Sequence, residues 1–258
     1  MKIFIFCDME GVSGICGGEF IHGKFTELGG RLMAEEINAC VAGCFDAGAL
    51  RVIVRDGHGS GVNFDPTLVD PRAELIQGRT PGVRFPEIDG AAGLILLGYH
   101  AMAGTIAAVL EHTYNSKSIQ NRWLNGRKAG EIGIDAAIAA EHGVSVILVT
   151  GDDKACREAE EWIPGVSTCV VKHGYDTQGA RLIAPSAARA AVRQSAAGAI
   201  KNRDRVKPVS VDYPAVLRIE YIERQAPPNA EALGTRVDGQ DGRIYEQSGP
   251  SVEKLLLG

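Results

Sequence analysis

The sequence predicts a three-layer α/β protein: a mostly parallel sheet with helices on both faces, plus a small C-terminal extension. Three observations predict it. Short apolar runs recur along the first 200 residues, as in strands buried inside a parallel sheet. Segments with apolar residues at helical spacing lie between them, and this alternation is the mark of βαβ units. Several runs also end abruptly in loops that carry Asp, Glu or His beside glycine, as strand ends do where they open into a ligand site.

The elements follow in order. The run from Ile3 to Cys7 reads as a first, buried strand that stops at Asp8-Met9-Glu10-Gly11. A Gly-rich loop, 11–30, contains His22. Residues 31–47 read as a helix, with Leu32, Met33, Ile37, Cys40, Val41 and Cys44 at helical spacing and Gly48 as a stop. Residues 51–55 are a second strand, running into Asp56-Gly57-His58. A Pro-bearing loop and a short strand at 73–76 follow, then an apolar run at 91–97 that ends in Gly98-Tyr99-His100. Residues 118–129 read as a hairpin about Asn125-Gly126. Glu131 opens a helix to Glu141. A strand at 145–150, a helix at 152–162, a strand at 167–172 and a helix at 186–200 complete the alternation. A polar, Pro-bearing stretch suggests a boundary, giving a catalytic α/β domain at 1–205. Residues 206–258 are expected to add a strand at 215–222 and a polar tail, packed on or extending the same domain.

Composition narrows the function classes. The chain has 258 residues, 45% hydrophobic and 23% charged, enough for a sizeable core without cross-links. A net charge of −5 argues against a broad nucleic-acid footprint. No apolar run approaches the roughly 20 residues of a membrane span. The first apolar run is short for a secretory leader and meets acids at once. Six scattered cysteines without a C-x-x-C pair suit packing in a reducing compartment, so a cytoplasmic location is expected.

The chemistry-bearing residues cluster at the strand ends. Alternate residues of a strand share a face, so Asp8 and Glu10 can aim at one point if the extended chain lasts to Glu10. Two adjacent carboxylates repel unless a cation compensates. His58 and His100 follow two other strands and land on the same rim if those strands are parallel neighbours. Glu131 is a fifth candidate. Carboxylate and imidazole together suit zinc, manganese or iron. Five ligands exceed what one catalytic zinc takes but fit two ions sharing a carboxylate, with Asp8 as the bridge. Plainer roles exist for each: a capped turn for Asp8, an exposed loop for His58, a satisfied half-buried ring for His100, and a helix-dipole partner for Glu131. His112, in a polar patch, is either an acid/base group or a surface residue. His22 reads as loop, His142 as a helix end and His173 as surface. P-loop and nucleophile-elbow motifs are absent, and no helix pattern follows Gly57-His58-Gly59 as a dinucleotide fingerprint requires.

These residues carry a resemblance. Asp8-Met9-Glu10-Gly11-Val12-Ser13-Gly14 resembles the opening of the zinc-dependent D-aminopeptidases of dipeptide-transport operons. Asp56-Gly57-His58, Leu97-Gly98-Tyr99-His100-Ala101 and Gly130-Glu131-Ile132-Gly133 resemble that family's next motifs, in the same order and at similar spacing, as does the stretch 146–153. The resemblance implies two zinc ions held by Asp8, Glu10, His58, His100 and Glu131, with His112 as the further active-site histidine, nucleophile or acid/base. It also implies hydrolysis of short peptides with an N-terminal D-amino acid, D-Ala-D-Ala-like, and a homo-oligomer, a ring-shaped decamer of stacked pentamers. Two rival functions are another dinuclear metallohydrolase, an amidase or phosphoesterase, and a non-catalytic metal- or ligand-binding module. No Gly-rich phosphate cradle favours the phosphoesterase. Five ligands on separate strand ends argue against a closed structural site.

Overall fold

A computed structural model of the chain describes residues 1–225, 234–237 and 242–257. Its main sheet consists of β1 (Lys2–Cys7), β2 (Arg51–Asp56), β3 (Ala73–Ile76), β4 (Leu94–Tyr99), β7 (Val146–Asp152), β8 (Ser167–Asp176) and β9 (Gly179–Leu182). The order is β3-β2-β1-β4-β7-β8-β9, parallel throughout except for β9, which turns back antiparallel on β8. The chain grows outward from β1 to β3 and then returns to place β4 on β1's other side. That reversal leaves a crevice beyond the carboxyl ends of β1 and β4, where open α/β sheets bind ligands.

β1 shows why the sheet sits in the middle. Its residues alternate between two cores, and all but Lys2 are buried. Ile3, Ile5 and Cys7 pack with Met33, Ile37 and Val41 of α2 (Thr26–Asp46) and with Ala188 and Val192 of α5 (Pro185–Asn202). Phe4 and Phe6 face the other way, against Phe85 and the apolar residues of α3 (Glu131–Glu141) and α4 (Asp153–Trp162). Each fully buried Ile or Phe contributes roughly 1.5–3 kcal/mol. A strand buried on both faces therefore reads as an unbroken apolar run, which is what made it visible in the sequence.

A second, antiparallel sheet flanks α3. It contains β5 (Ile119–Leu124), β6 (Arg127–Lys128), β10 (Ala215–Tyr221), β11 (Thr235–Arg236) and β12 (Ile244–Gly249), in the order β11-β12-β10-β5-β6. The expected hairpin about Asn125-Gly126 forms β5 and β6, with both turn residues at positive φ. β10 pairs with β5, a strand about 95 residues earlier in the sequence.

Four sequence expectations are corrected. α2 starts at Thr26 rather than at residue 31, and a short helix α1 (Glu19–His22) precedes it. Gly29 and Gly30 suggested a loop. They lie inside the helix, and it is the close approach of another segment that requires glycine there: a Cβ on Gly29 would lie 2.4 Å from the Phe20 carbonyl oxygen. β1 ends at Cys7, so Asp8 and Glu10 lie in the turn beyond it rather than on one strand face. β8 continues to Asp176 and forms a hairpin with β9, where the sequence suggested only 167–172. The stretch after Ile222, read as a polar tail, contains β11, β12 and α6 (Val252–Leu257). Its residues 226–233, 238–241 and 258 lie outside the described residues.

Candidate metal centre

Three neighbouring parallel strands end on one rim, and an acid or an imidazole follows each. Asp8 and Glu10 follow β1, His58 follows β2, and His100 follows β4. Glu131, the first residue of α3, and His112, from the loop joining β4 to β5, enter from the side.

The turn bearing Asp8 and Glu10 is laced to the end of β4. The Asp8 N–H donates to the Leu97 carbonyl (2.8 Å) and the Gly11 N–H to that of Gly98 (2.7 Å). Glycine is required on both sides. A Cβ on Gly11 would lie 2.0 Å from the Tyr99 oxygen, and one on Gly98, at φ +71°, would lie 2.5 Å from the Asp8 oxygen. From beneath, the fully buried Lys172 Nζ donates to the carbonyls of Glu10 (2.6 Å), Val12 (2.9 Å) and Ile15 (2.6 Å). Glu36, also fully buried, accepts from the Ser13 N–H at 2.8 Å. Burial pulls the Lys172 ammonium down to about 8, against the pull of Glu36.

All six residues singled out in the sequence meet here. His100 Nε2 lies 3.3 Å from Asp8 Oδ2 and 3.2 Å from Glu131 Oε1. His58 Nε2 lies 3.1 Å from Glu10 Oε1. The His112 ring stacks on the His100 ring, with centroids 4.0 Å apart and planes 12° apart, and its Nε2 is 3.7 Å from Glu131 Oε1. Ligand-type atoms of Asp8, Glu10 and His100 all fall within 4.8 Å of one another, and so do those of His100, His112 and Glu131.

The three imidazoles are oriented alike. Nδ1 contacts an oxygen acceptor in each: Asn63 Oδ1 for His58 (3.0 Å), the Ala101 carbonyl for His100 (3.0 Å) and the Leu110 carbonyl for His112 (2.9 Å). Donation from Nδ1–H points Nε2 into the site, where it can carry a proton toward the carboxylates or, once deprotonated, offer its lone pair to a cation. The Asn63 amide is itself fixed, donating to Asp56 Oδ1 and to the His58 carbonyl.

Electrostatically the site is short of positive charge. Burial opposes charge on His58, yet the Glu10 carboxylate pushes its pKa up to about 10. Against burial, His58 holds Glu10 well below the usual carboxylate range. His100 is likewise raised, against burial, by Glu131 and Asp8. Glu10 Oε2 is buried without a hydrogen-bond partner among the described residues, and Asp8 Oδ2 and His100 Nε2, though 3.3 Å apart, do not form a well-aligned hydrogen bond. Such an orphan costs roughly 1–3 kcal/mol, more when charged. A divalent cation satisfies carboxylate and imidazole lone pairs at once, and a mixed N/O donor set of this kind fits zinc.

The surrounding residues hold Glu131 in place. Its Oε1 accepts from the Tyr114 N–H at 2.7 Å. One helical turn later, the fully buried Asp135 accepts from Arg84 Nε (2.9 Å) and Nη2 (2.8 Å) and from the Tyr99 hydroxyl (2.6 Å). The cleft over the site has a volume of about 560 Å³, and Arg84, His22 and Lys117 line it beside the acids and histidines. A cavity of similar size near Trp162 and Val211 contains none of those groups. Sequence reasoning missed Arg84, which sits in an irregular loop with no periodicity or motif. It also left His22 as loop, although its ring centroid is 6.4 Å from that of His58. His142 and His173 lie outside the cleft.

A family model described as D-aminopeptidase matches residues 1–256. The D-aminopeptidase of Bacillus subtilis (strain 168) is 36% identical over 225 residues, which cover 86% of this chain and 81% of that protein. Among solved structures, one described as the Zn-dependent D-aminopeptidase DppA from Bacillus subtilis, a self-compartmentalizing protease, superposes with a TM-score of 0.91 at 31% identity. That match covers 99% of this chain and 94% of the other.

Proposed function

The chain belongs to the D-aminopeptidase family, and from that premise we propose that it hydrolyses short peptides with an N-terminal D-amino acid, using two zinc ions held by Asp8, Glu10, His58, His100 and Glu131. The observation that supports the assignment of ligands is the convergence of ligand-type atoms of the buried Asp8, Glu10 and His100, and of His100, His112 and Glu131, each set within 4.8 Å of one another. Zinc bound there supplies Lewis acidity, polarising an amide carbonyl and lowering the pKa of water towards 7.

The chain's own groups supply the rest. His112 keeps its Nδ1 on the Leu110 carbonyl and presents Nε2 to the cleft, where it can take a proton from the attacking group and return it to the leaving amine. Glu131, 3.7 Å away, stabilises the protonated ring. The stacked His100 ring fixes the plane in which His112 works. Residues 1–205 carry every group in this reading, and β10, beyond them, extends the same domain by pairing with β5.

Assembly and location belong to the same proposal. The Bacillus subtilis structure is described as self-compartmentalizing, and we extend a homo-oligomeric state, a ring-shaped decamer, to this chain. Exposed Ile106, Val62 and Tyr175 supply apolar surface for such contacts. All six cysteines are free, as in a cytoplasmic protein, and among the described residues no helix is long and apolar enough to cross a membrane.

The test is release of free alanine from D-Ala-D-Ala and, separately, L-Ala-L-Ala, with chelator and then zinc add-back. Turnover of the D-peptide alone, lost to chelator and restored by zinc, is expected. His112→Ala should keep both metals and lose turnover by roughly 100-fold or more. Full turnover by that variant removes His112 from the mechanism, and turnover of neither peptide by a two-metal protein overturns the substrate assignment.

A further inference from the structure

On the other side of Arg84 from the metal centre lies a smaller cavity of about 230 Å³, far above the ~10–15 Å³ that one water requires. Arg55, Arg79 and Arg84 line it, with Thr80 and Leu257 at its walls, and no acidic side chain is among its lining residues. Arg84 is neutralised by the two-pronged contact with Asp135. Arg55 is not. It is only 8% exposed, gives Nη1 to the Gly78 carbonyl at 3.1 Å, and has neither a partner for Nε nor an ion pair among the described residues. Arg79, exposed at the mouth, also has no ion pair among them. Burial, and next the charge of Arg84, pull the Arg55 guanidinium below its ordinary value, against the opposing pull of the neighbouring Asp56, whose carboxylate is taken up by Asn63. A buried guanidinium whose donors are mostly unpaired is rare, so a buried arginine facing a basic cavity calls for an anion.

We propose that this cavity is a binding site for a small oxyanion, held by Arg55, Arg79 and Arg84. Guanidinium forks match the paired oxygens of a carboxylate or of a tetrahedral oxyanion, and a part-buried pocket strengthens those charge-assisted bonds. The oxyanion has two possible sources: a free inorganic anion, or the terminal carboxylate of a peptide reaching past Arg84, which borders both cavities. An anion here gives Arg55 the charge-assisted partner that its free donors lack. The proposal is independent of the peptidase assignment, because its test reads binding and not turnover.

The experiment is calorimetric titration of zinc-loaded protein with sodium sulfate, a weak ligand for zinc, at an ionic strength held constant with chloride. Saturable one-site binding is expected. Arg79→Ala should weaken it about tenfold, the loss of one charge-assisted contact. Arg79 is exposed and does not line the metal cleft, so its replacement leaves the fold and the metals in place. A second arm adds N-acetyl-D-Ala-D-Ala, which has no free amine. Competition with sulfate identifies a peptide carboxylate as a ligand of the site, and sulfate binding without competition identifies an inorganic oxyanion. Absence of saturable binding, or equal affinity in wild type and Arg79→Ala, overturns the proposal.

Discussion

At the scale of single residues, Glu158 shows how the site constrains groups that never reach the cleft. Its Oε2 accepts from the Met102 N–H at 2.7 Å, two residues after His100, while Oε1 is buried without a partner. Burial above all pushes its pKa up to about 7. A carboxyl raised in this way holds its proton more tightly folded than unfolded. The stabilisation is fully present below its unfolded pKa of about 4.5 and is lost as pH rises through 7. Glu158→Gln keeps an oxygen for Met102 and removes the charge. It should therefore be more stable than wild type at pH 8, by up to about 3 kcal/mol, with the advantage vanishing toward pH 5. Urea unfolding of both proteins at pH 5, 6 and 8 checks this, and parallel pH dependences would disprove it. In the sequence Glu158 falls at helical spacing between Ala155, Ala159 and Trp162, but the adjoining Glu160 and Glu161 mask it as one more acid on the polar side of the helix. Only the packing of α4 under the His100 loop sets it apart.

At the scale of elements, the deciding part is the turn after β1. It is held from one side by β4 and from below by Lys172, whose β8 strand lies two places away from β4 in the sheet. Ligand-bearing loops lose affinity by 10–100-fold when outer contacts are removed. Replacing Lys172 by Met alone would remove a positive charge that favours the ionised form of the buried Glu36, so the double variant Lys172→Met/Glu36→Gln is the cleaner probe. It should remain folded by circular dichroism and bind zinc roughly 10–100-fold more weakly in competition with a chromophoric chelator. Unchanged affinity would show that the β4 lacing alone fixes Glu10. The same turn corrected the strand-parity argument for Asp8 and Glu10. Their shared direction comes from backbone bonds to Leu97 and Gly98 and from two glycines in close contact, and local alternation cannot report either.

For the whole molecule, a bound cation offsets the cost of gathering acids and imidazoles out of water, beyond what their mutual contacts do. Zinc that binds the folded chain and not the unfolded one stabilises by mass action, about 2.7 kcal/mol at 100 times its Kd. For a chain of this size that corresponds to a rise in Tm of about 5 °C or more. Scanning calorimetry with chelator, and then with excess zinc, should show that rise. An unchanged Tm would mean that the convergent groups do not hold metal.

The sequence by itself determined the alternation of strands and helices, the burial of β1, the Asn125-Gly126 hairpin, and the kinds of residue placed at each strand end. Each of these follows from neighbours in the chain, through periodicity, turn chemistry and apolar runs. Tertiary structure decided that Asp8, Glu10, His58, His100, His112 and Glu131 meet, that Gly29 and Gly30 lie within a helix, that β10 pairs with β5, and that Arg84 stands between two cavities. These outcomes depend on strand order and on close approaches between segments tens of residues apart, where the energy lies in contacts and buried charges that no local pattern records.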